Sequence, residues 1–320
     1  MNKTALAVLG AAALLAAAWL FWPGSAVEVT IPAGQSARET AALLRDKGVV
    51  RGTLMFRLLA RATGIERRLK PGTYRLSRRM APWRLVAALR AGGGGMKVVI
   101  PEGFSARQIA ERLESSGVCK AGDFLRSAVA NRLEGYLFPT TYYFEPGADP
   151  GRVADKMFQE FKKRVAAEYD RTDPKPRLTL HQLVTLSSIV EREAVLKQEQ
   201  PMVAAVYLNR MRIRMRLEAD PTVQYALGYW KKGLSIEDLH RDSPYNTYVH
   251  YGLPPGPICS PGLEAFRAAL RPAQTGAIYF VADGQGGHVF SATHEEHLRA
   301  KQSFKRALRE EKRRLQEQSR

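Results

Sequence analysis

From His181 to Lys197 the apolar residues Leu183, Leu186, Ile189, Val190, Ala194 and Leu196 recur at intervals of three and four, the spacing of one helix face. The pattern predicts a helix. With about 100° per residue and Leu186 set at zero, Glu193 falls at roughly −20°, inside the apolar stripe. Glu191 falls at about 140°, beside the serines and open to water. An ionised carboxylate among apolar side chains is costly, and such a group responds by raising its pKa and keeping its proton. Two readings fit Glu193: a general acid still protonated near neutrality, or an acid paired with a buried arginine or backbone donors.

The same patterning orders the rest of the chain. Thr4 to Trp22 is an uncharged run of nineteen residues, rich in Ala and Leu, ending in Trp19, Phe21 and Trp22 and preceded by Lys3. At about 1.5 Å per residue it nearly matches a hydrocarbon core of ~30 Å, so it is expected to span a membrane with Lys3 on the cytoplasmic side. A cleavable signal peptide ending at Gly24-Ser25-Ala26 is the alternative, but the run is longer than the usual apolar region of one. An uncleaved anchor that exports everything beyond it is the preferred reading.

A repeat follows. Thr30-Ile-Pro-Ala-Gly-Gln-Ser-Ala-Arg38 matches Val99-Ile-Pro-Glu-Gly-Phe-Ser-Ala-Arg107 at an offset of 69, and Pro82-Trp-Arg84 matches Pro150-Gly-Arg152 at an offset of 68. Each copy predicts a short strand, Ser36 or Ser105 as an N-cap, a helix stopped by Gly48 or Gly117, a second helix and a Tyr-containing strand. The expected class is therefore α+β: an anchor over 1–25, modules over 26–95 and 96–150, a helix and linker over 151–177, and a larger α+β domain over 178–320. The run Gly92 to Gly95 joins the copies. The strand, two helices and strand of the first copy resemble the LysM type of glycan-binding module; a plain spacer is the competing reading.

Farther on, Met202 to Met215 predicts a helix carrying Asn209 and a comb of Arg210, Arg212, Arg214 and Arg216. Asp220-Pro221 predicts a helix start. The loop from Ser243 to Gly262 is stiffened by prolines and offers the polar groups of Tyr245, Asn246, Thr247 and Tyr248, an inventory suited to a polyol. The aromatic-rich stretch from Glu134 to Glu145 supplies Tyr136 as a surface for stacking on sugar rings, although core packing is the commoner fate of such rings. Ala277 to Asp283 and His288 to Ser291 predict a hairpin, and a basic helix closes the chain.

Composition sharpens this picture. The chain carries 49 Lys+Arg against 31 Asp+Glu, a net +18 that ordinarily raises nucleic acid as a partner. Export argues against nucleic acid and for headgroups and wall polymer. Cys119 and Cys259 do not define a disulfide framework, and no metal or cofactor spacing is present. The histidines of His294-Glu-Glu-His297 are three apart where a zinc protease needs four.

Six motifs in order now carry a family resemblance: Ser188-Ile-Val-Glu-Arg-Glu193, Val206-Tyr-Leu-Asn-Arg210, Met215-Arg-Leu-Glu-Ala-Asp-Pro-Thr222, Tyr245-Asn-Thr-Tyr248, Gly252-Leu-Pro-Pro-Gly256, and Tyr279-Phe-Val-Ala-Asp-Gly284 with Gly287-His288. Together they resemble the endolytic murein transglycosylases of the YceG-like family. Two departures stand out, Glu218 where many members have Gln and Pro257 where many have Ala.

The resemblance implies a lytic cleavage of the β-1,4 bond between N-acetylmuramic acid and N-acetylglucosamine in nascent peptidoglycan strands, ending elongation and leaving a 1,6-anhydro end. It implies Glu193 as the catalytic residue and no cofactor. Asp220, Glu218, Asn209, Arg210, Tyr245, Asn246, Thr247, Tyr248 and Tyr136 are the expected substrate-binding set. It further implies partnership with peptidoglycan synthases and a single-pass place in the plasma membrane, with the catalytic part outside. A hydrolytic muramidase using Asp220 or Asp242 as second carboxylate, and a non-catalytic wall-binding scaffold, stay open.

Overall fold

The computed structural model describes residues 25–318 except 33, 68, 92–94 and 232. The Thr4 to Trp22 run and most of the glycine joint lie outside the described residues, among which no helix is long and apolar enough to cross a membrane. The fold is mixed α and β.

The duplication appears as a repeated element order. Strand β1 (Ala26–Ile31), helices α1 (Ala37–Asp46) and α2 (Thr53–Ala62), strand β2 (Gly72–Ser77) and helix α3 (Pro82–Ala91) come first. Then β3 (Met96–Val99), α4 (Ala106–Ser115), α5 (Ala121–Ala130), β4 (Thr141–Phe144) and α6 (Pro150–Phe161) follow in the same order. β1 pairs antiparallel with β2 and β3 with β4, so Val29 faces Tyr74 and Val98 faces Tyr142. Ser36 caps α1 in a reciprocal box with Glu39, and Ser105 does the same for α4 with Gln108. Gly48 and Gly117 end their helices at φ +71°, and the amides of Val49 and Val118 reach back to the carbonyls of Leu44 and Leu113.

The copies nevertheless do not form two free-standing modules. One compact unit takes the chain up to Val99 with Arg112–Lys120 and Thr141–Asp149, and the other takes Ile100–Glu111, Ala121–Thr140 and everything from Pro150. The expected module over 96–150 is thus divided between the two units. In the first unit, Glu28 of β1 accepts from Lys97 Nζ of β3 and from the Tyr143 hydroxyl of β4, both at 2.6 Å. Its core is built from Val29, Ile31, Leu44, Phe56, Tyr74 and Leu85.

In the second unit α6 passes through a wide turn over Lys162–Ala166 into α7 (Ala167–Arg171) and then into α8 (Leu180–Glu193). After it come α9 (Gln200–Arg212), α10 (Asp220–Leu227), α11 (Ile236–Leu239), α12 (Leu263–Leu270), the hairpin β5 (Tyr279–Ala282) and β6 (His288–Ser291), and α13 (His294–Gln318). Helix α8 packs against α9, α10 and α12.

The sequence pattern misplaced two features of α8. Every residue from Leu183 to Val190 is buried, so the helix is covered all round rather than on one face. The hydroxyls of Thr185, Ser187 and Ser188 donate to carbonyls one turn back, at 2.8, 2.6 and 2.7 Å, which lets a polar side be buried. Glu191 beside them is half-buried and accepts from the Gly262 amide at 2.9 Å, and burial raises its pKa. The helix also stops at Glu193, since Ala194 is extended (φ −85°, ψ 111°). Burial of Leu183, Val184, Leu186, Ile189 and Val190, at about 1.5–3 kcal/mol each, makes α8 a stiff mount for its last residue.

Candidate active site

Glu193 is the final residue of α8, where the unpaired carbonyls of the helix end already disfavour an anion. It keeps some solvent-accessible surface, yet its carboxylate is enclosed closely enough by protein to penalise the charged form. Burial, and then the negative charge of Asp220, push its pKa up to about 7; the Arg210 cation and the Tyr207 hydroxyl pull the other way. Near neutrality the group holds a proton about half the time. Among the described residues Glu193 makes no ion pair.

Arg210 is why the shift is not larger, and its position is set by backbone. Its guanidinium is buried and donates to the carbonyls of Leu217 at 2.6 Å and Ile278 at 2.7 Å. Glu218 stands 3.9 Å from it. Arg210 is thus a fixed charge beside the acid rather than an outward-facing member of a wet arginine comb, while Arg212, Arg214 and Arg216 are exposed. Tyr207, one turn before Arg210 on the same side of α9, is fully buried and burial raises its phenol. Its hydroxyl has no partner within hydrogen-bond geometry, so it acts on Glu193 by proximity.

The second acid is Asp220, exposed at the first residue of α10, where it accepts from the Tyr248 hydroxyl at 2.6 Å. Thr247 fixes the approach to it. Its hydroxyl accepts from the Ala219 amide and meets that of Thr222, both at 2.9 Å, and its carbonyl accepts from the Glu218 amide at 3.2 Å. Glu218 itself sits at φ +51°, a left-handed conformation that costs a non-glycine residue roughly 1 kcal/mol or more.

The expected binding set therefore separates. Asp220, Arg210 and Tyr248 stand close enough to Glu193 to interact with its charge, and Glu218 lies beside Arg210. Asn246 and Thr247 are fully buried, and the Asn246 amide is spent on the carbonyls of Leu239 and Arg241 and on the Tyr248 N–H. Both side chains hold the loop from within. Asn209 is likewise buried and ties α9 to the carbonyls of Thr275 and Ala277, at 2.9 Å each. Tyr245 and Tyr136 lie elsewhere, in a cleft of about 1050 Å³ whose lining does not include Glu193. There the Tyr136 hydroxyl meets His181 Nδ1 at 2.7 Å, and His181 Nε2 meets the Pro255 carbonyl at 2.9 Å. Asp242 is almost wholly exposed and faces His250. Cys259 is a buried thiol donating to the Ser188 carbonyl, so it is not half of a disulfide. Among the described residues no three His, Cys, Asp or Glu side chains are grouped to hold a metal ion.

Tyr207 and Glu134 escaped the sequence reading. The three-residue spacing of Tyr207 and Arg210 on one helix side was the available signal for the first. Nothing local marks Glu134, because its surroundings come from α4 and α10.

A model of the YceG-like family matches residues 29–303. The endolytic murein transglycosylase of Bacillus subtilis is 30% identical over 306 residues, covering 87% of this chain and 84% of that protein. The protein of the same name from Streptococcus pneumoniae D39 is 30% identical over 313 residues, covering 84% of this chain and 56% of its own length. Among solved structures, a YceG-like protein of Listeria monocytogenes superposes with a TM-score of 0.62 at 34% identity, over 86% of this chain and 98% of that one. With that extent of agreement, and with the acid of the family motif set at the end of a buried helix, the chain belongs to the YceG-like family.

Proposed function

We propose that the chain is an endolytic murein transglycosylase in which Glu193 serves as both acid and base. The observation that carries the reading is the placement of Glu193 on a rigid helix end, between Asp220 and a backbone-held Arg210, with its pKa at about 7. Protonated Glu193 gives its proton to the glycosidic oxygen as the bond from that oxygen to C1 of N-acetylmuramic acid breaks. The C6 hydroxyl oxygen of the same sugar then bonds to C1, and the Glu193 carboxylate takes the C6 proton. No water is consumed, the enzyme returns to its starting state, and the products are a 1,6-anhydro end and a free 4-hydroxyl. Positive charge develops on the sugar ring in such a reaction, and the exposed carboxylate of Asp220 is placed to offset it.

The names borne by the relatives, endolytic murein transglycosylase, support the substrate class. The apolar run Thr4 to Trp22 supports a single-pass anchor with this unit outside the membrane, near the synthases whose nascent strands it would cut to end elongation. The strand, two helices and strand of the first unit support either a LysM-like glycan contact or a spacer. One observation favours a second reading: Asp220 lies close enough to act on the charge of Glu193, as the second carboxylate of a hydrolytic muramidase would.

End-group masses separate the two on purified full-length protein with uncrosslinked strands. Anhydro ends that vanish in Glu193→Gln support the proposal. Reducing ends support hydrolysis, and no cleavage by the wild type leaves only a wall-binding role.

A further inference from the structure

We propose that the 1050 Å³ cleft is a second glycan-binding site on the catalytic unit, in which Trp230, Tyr225 and Glu134 hold sugar residues of the strand being cut at Glu193. The inference rests on the murein reading above and extends it to how the strand is held away from the scissile bond.

The cleft and the Glu193 cluster are joined by two rigid elements. Helix α8 carries Glu193 at its C-terminus and His181 in its first turn, where it lines the cleft, about 18 Å away along the axis. Helix α10 carries Asp220 at its start, while Gln224, Tyr225 and Leu227 line the cleft farther along. A bound polymer several sugars long is the kind of ligand that would occupy both places, and a small molecule would not.

The wall chemistry suits an uncharged, acetamido-bearing ring. Trp230 is 46% exposed at the rim with Arg192 stacked at 3.8 Å on its ring, leaving aromatic surface for a sugar. Glu134 accepts from the Ala106 amide at 3.0 Å and from the Tyr225 hydroxyl at 3.2 Å, and the Tyr225 ring lies 4.8 Å from that of Tyr245. Ser105 and Gln108 satisfy each other's amides at the start of α4, and Glu134 takes the Ala106 amide that this box leaves over. Burial nevertheless raises the Glu134 pKa to about 7. When Glu134 is protonated its O–H donates to the Tyr225 oxygen, and the hydrogen of the Tyr225 hydroxyl is then free to turn toward the cleft as a donor. The exposed Arg107 and Arg132 at the rim complement the carboxylates of the peptide stems attached to the muramic residues.

The test uses the full-length chain with Glu193→Gln as parent, so that strands bind without being cut, and measures Kd for uncrosslinked murein strands of graded length. Trp230→Ala and Glu134→Ala should each weaken binding of long strands at least tenfold and of the shortest strands less than threefold. Glu134→Gln, which keeps a donor and an acceptor, should stay within threefold of the parent. Thermal unfolding matched to the parent shows that the fold is kept, and the exposed Trp230 decides the matter should Glu134→Ala unfold. Equal long-strand affinity in Trp230→Ala and the parent overturns the inference while leaving the Glu193 reading intact. Cleavage by the parent itself would instead sink the catalytic reading.

Discussion

The Glu193 side chain bears a free-energy penalty that the fold sustains. Its pKa of about 7 stands above the ordinary 4.5, so the folded protein binds the extra proton across that window and the unfolded chain does not. The stabilisation this brings is complete below about 4.5 and is lost as pH rises through about 7. Glu193→Gln cannot ionise. The variant should match the wild type in urea unfolding at pH 4 and exceed it at pH 8 by up to about 3 kcal/mol; equal stability at both values would show a carboxylate in ordinary solvent. Activity should follow the same proton, with kcat/KM falling above about pH 7 as the acid is lost. At this scale the sequence was informative about Glu193, because an acid in a stripe of leucines is visible to periodicity alone. The burial of Asn246, Thr247 and Asn209 was not visible, because a polar side chain bonded inside the fold looks the same in sequence as one at the surface.

Elements carry the site more than loops do. Arg210 draws the Glu193 pKa down and is pinned by the Leu217 and Ile278 carbonyls. Arg210→Met should cost about 2–4 kcal/mol, read from the shift in unfolding midpoint, by stripping two buried carbonyls of a charged donor. It should also move the alkaline limb of the pH profile upward, since the cation that favours ionisation is gone; a limb that stays put would place Arg210 outside the field of the acid. A second test concerns the turn after Glu134. Gly135 stands at φ +83°, and a Cβ there would lie 2.3 Å from Pro257 Cβ and 3.3 Å from Val184 Cγ1. Gly135→Ala should therefore lower stability by about 2–4 kcal/mol, since both backbone and loop must yield. Helix starts, glycine stops and the β5–β6 hairpin were legible from local chemistry. The all-round burial of α8 was not, because the helices α9, α10 and α12 and the Ile258–Cys259 loop that bonds to Ser188 are brought against it by the tertiary fold.

On the scale of the whole molecule, the duplication was readable as sequence but its partition was not. β3 and β4 group with the first copy while α5 joins the second unit, an outcome decided by which surfaces complete a core rather than by where a repeat begins. The second unit gathers the acid, its tuning charges and a large cleft onto helices that share one core. The account is tested most directly by the mass of the new chain ends that the full-length protein makes on uncrosslinked murein strands, wild type beside Glu193→Gln. It predicts 1,6-anhydro ends from the wild type and none from the variant. Reducing ends from the wild type, or anhydro ends persisting in the variant, would contradict it.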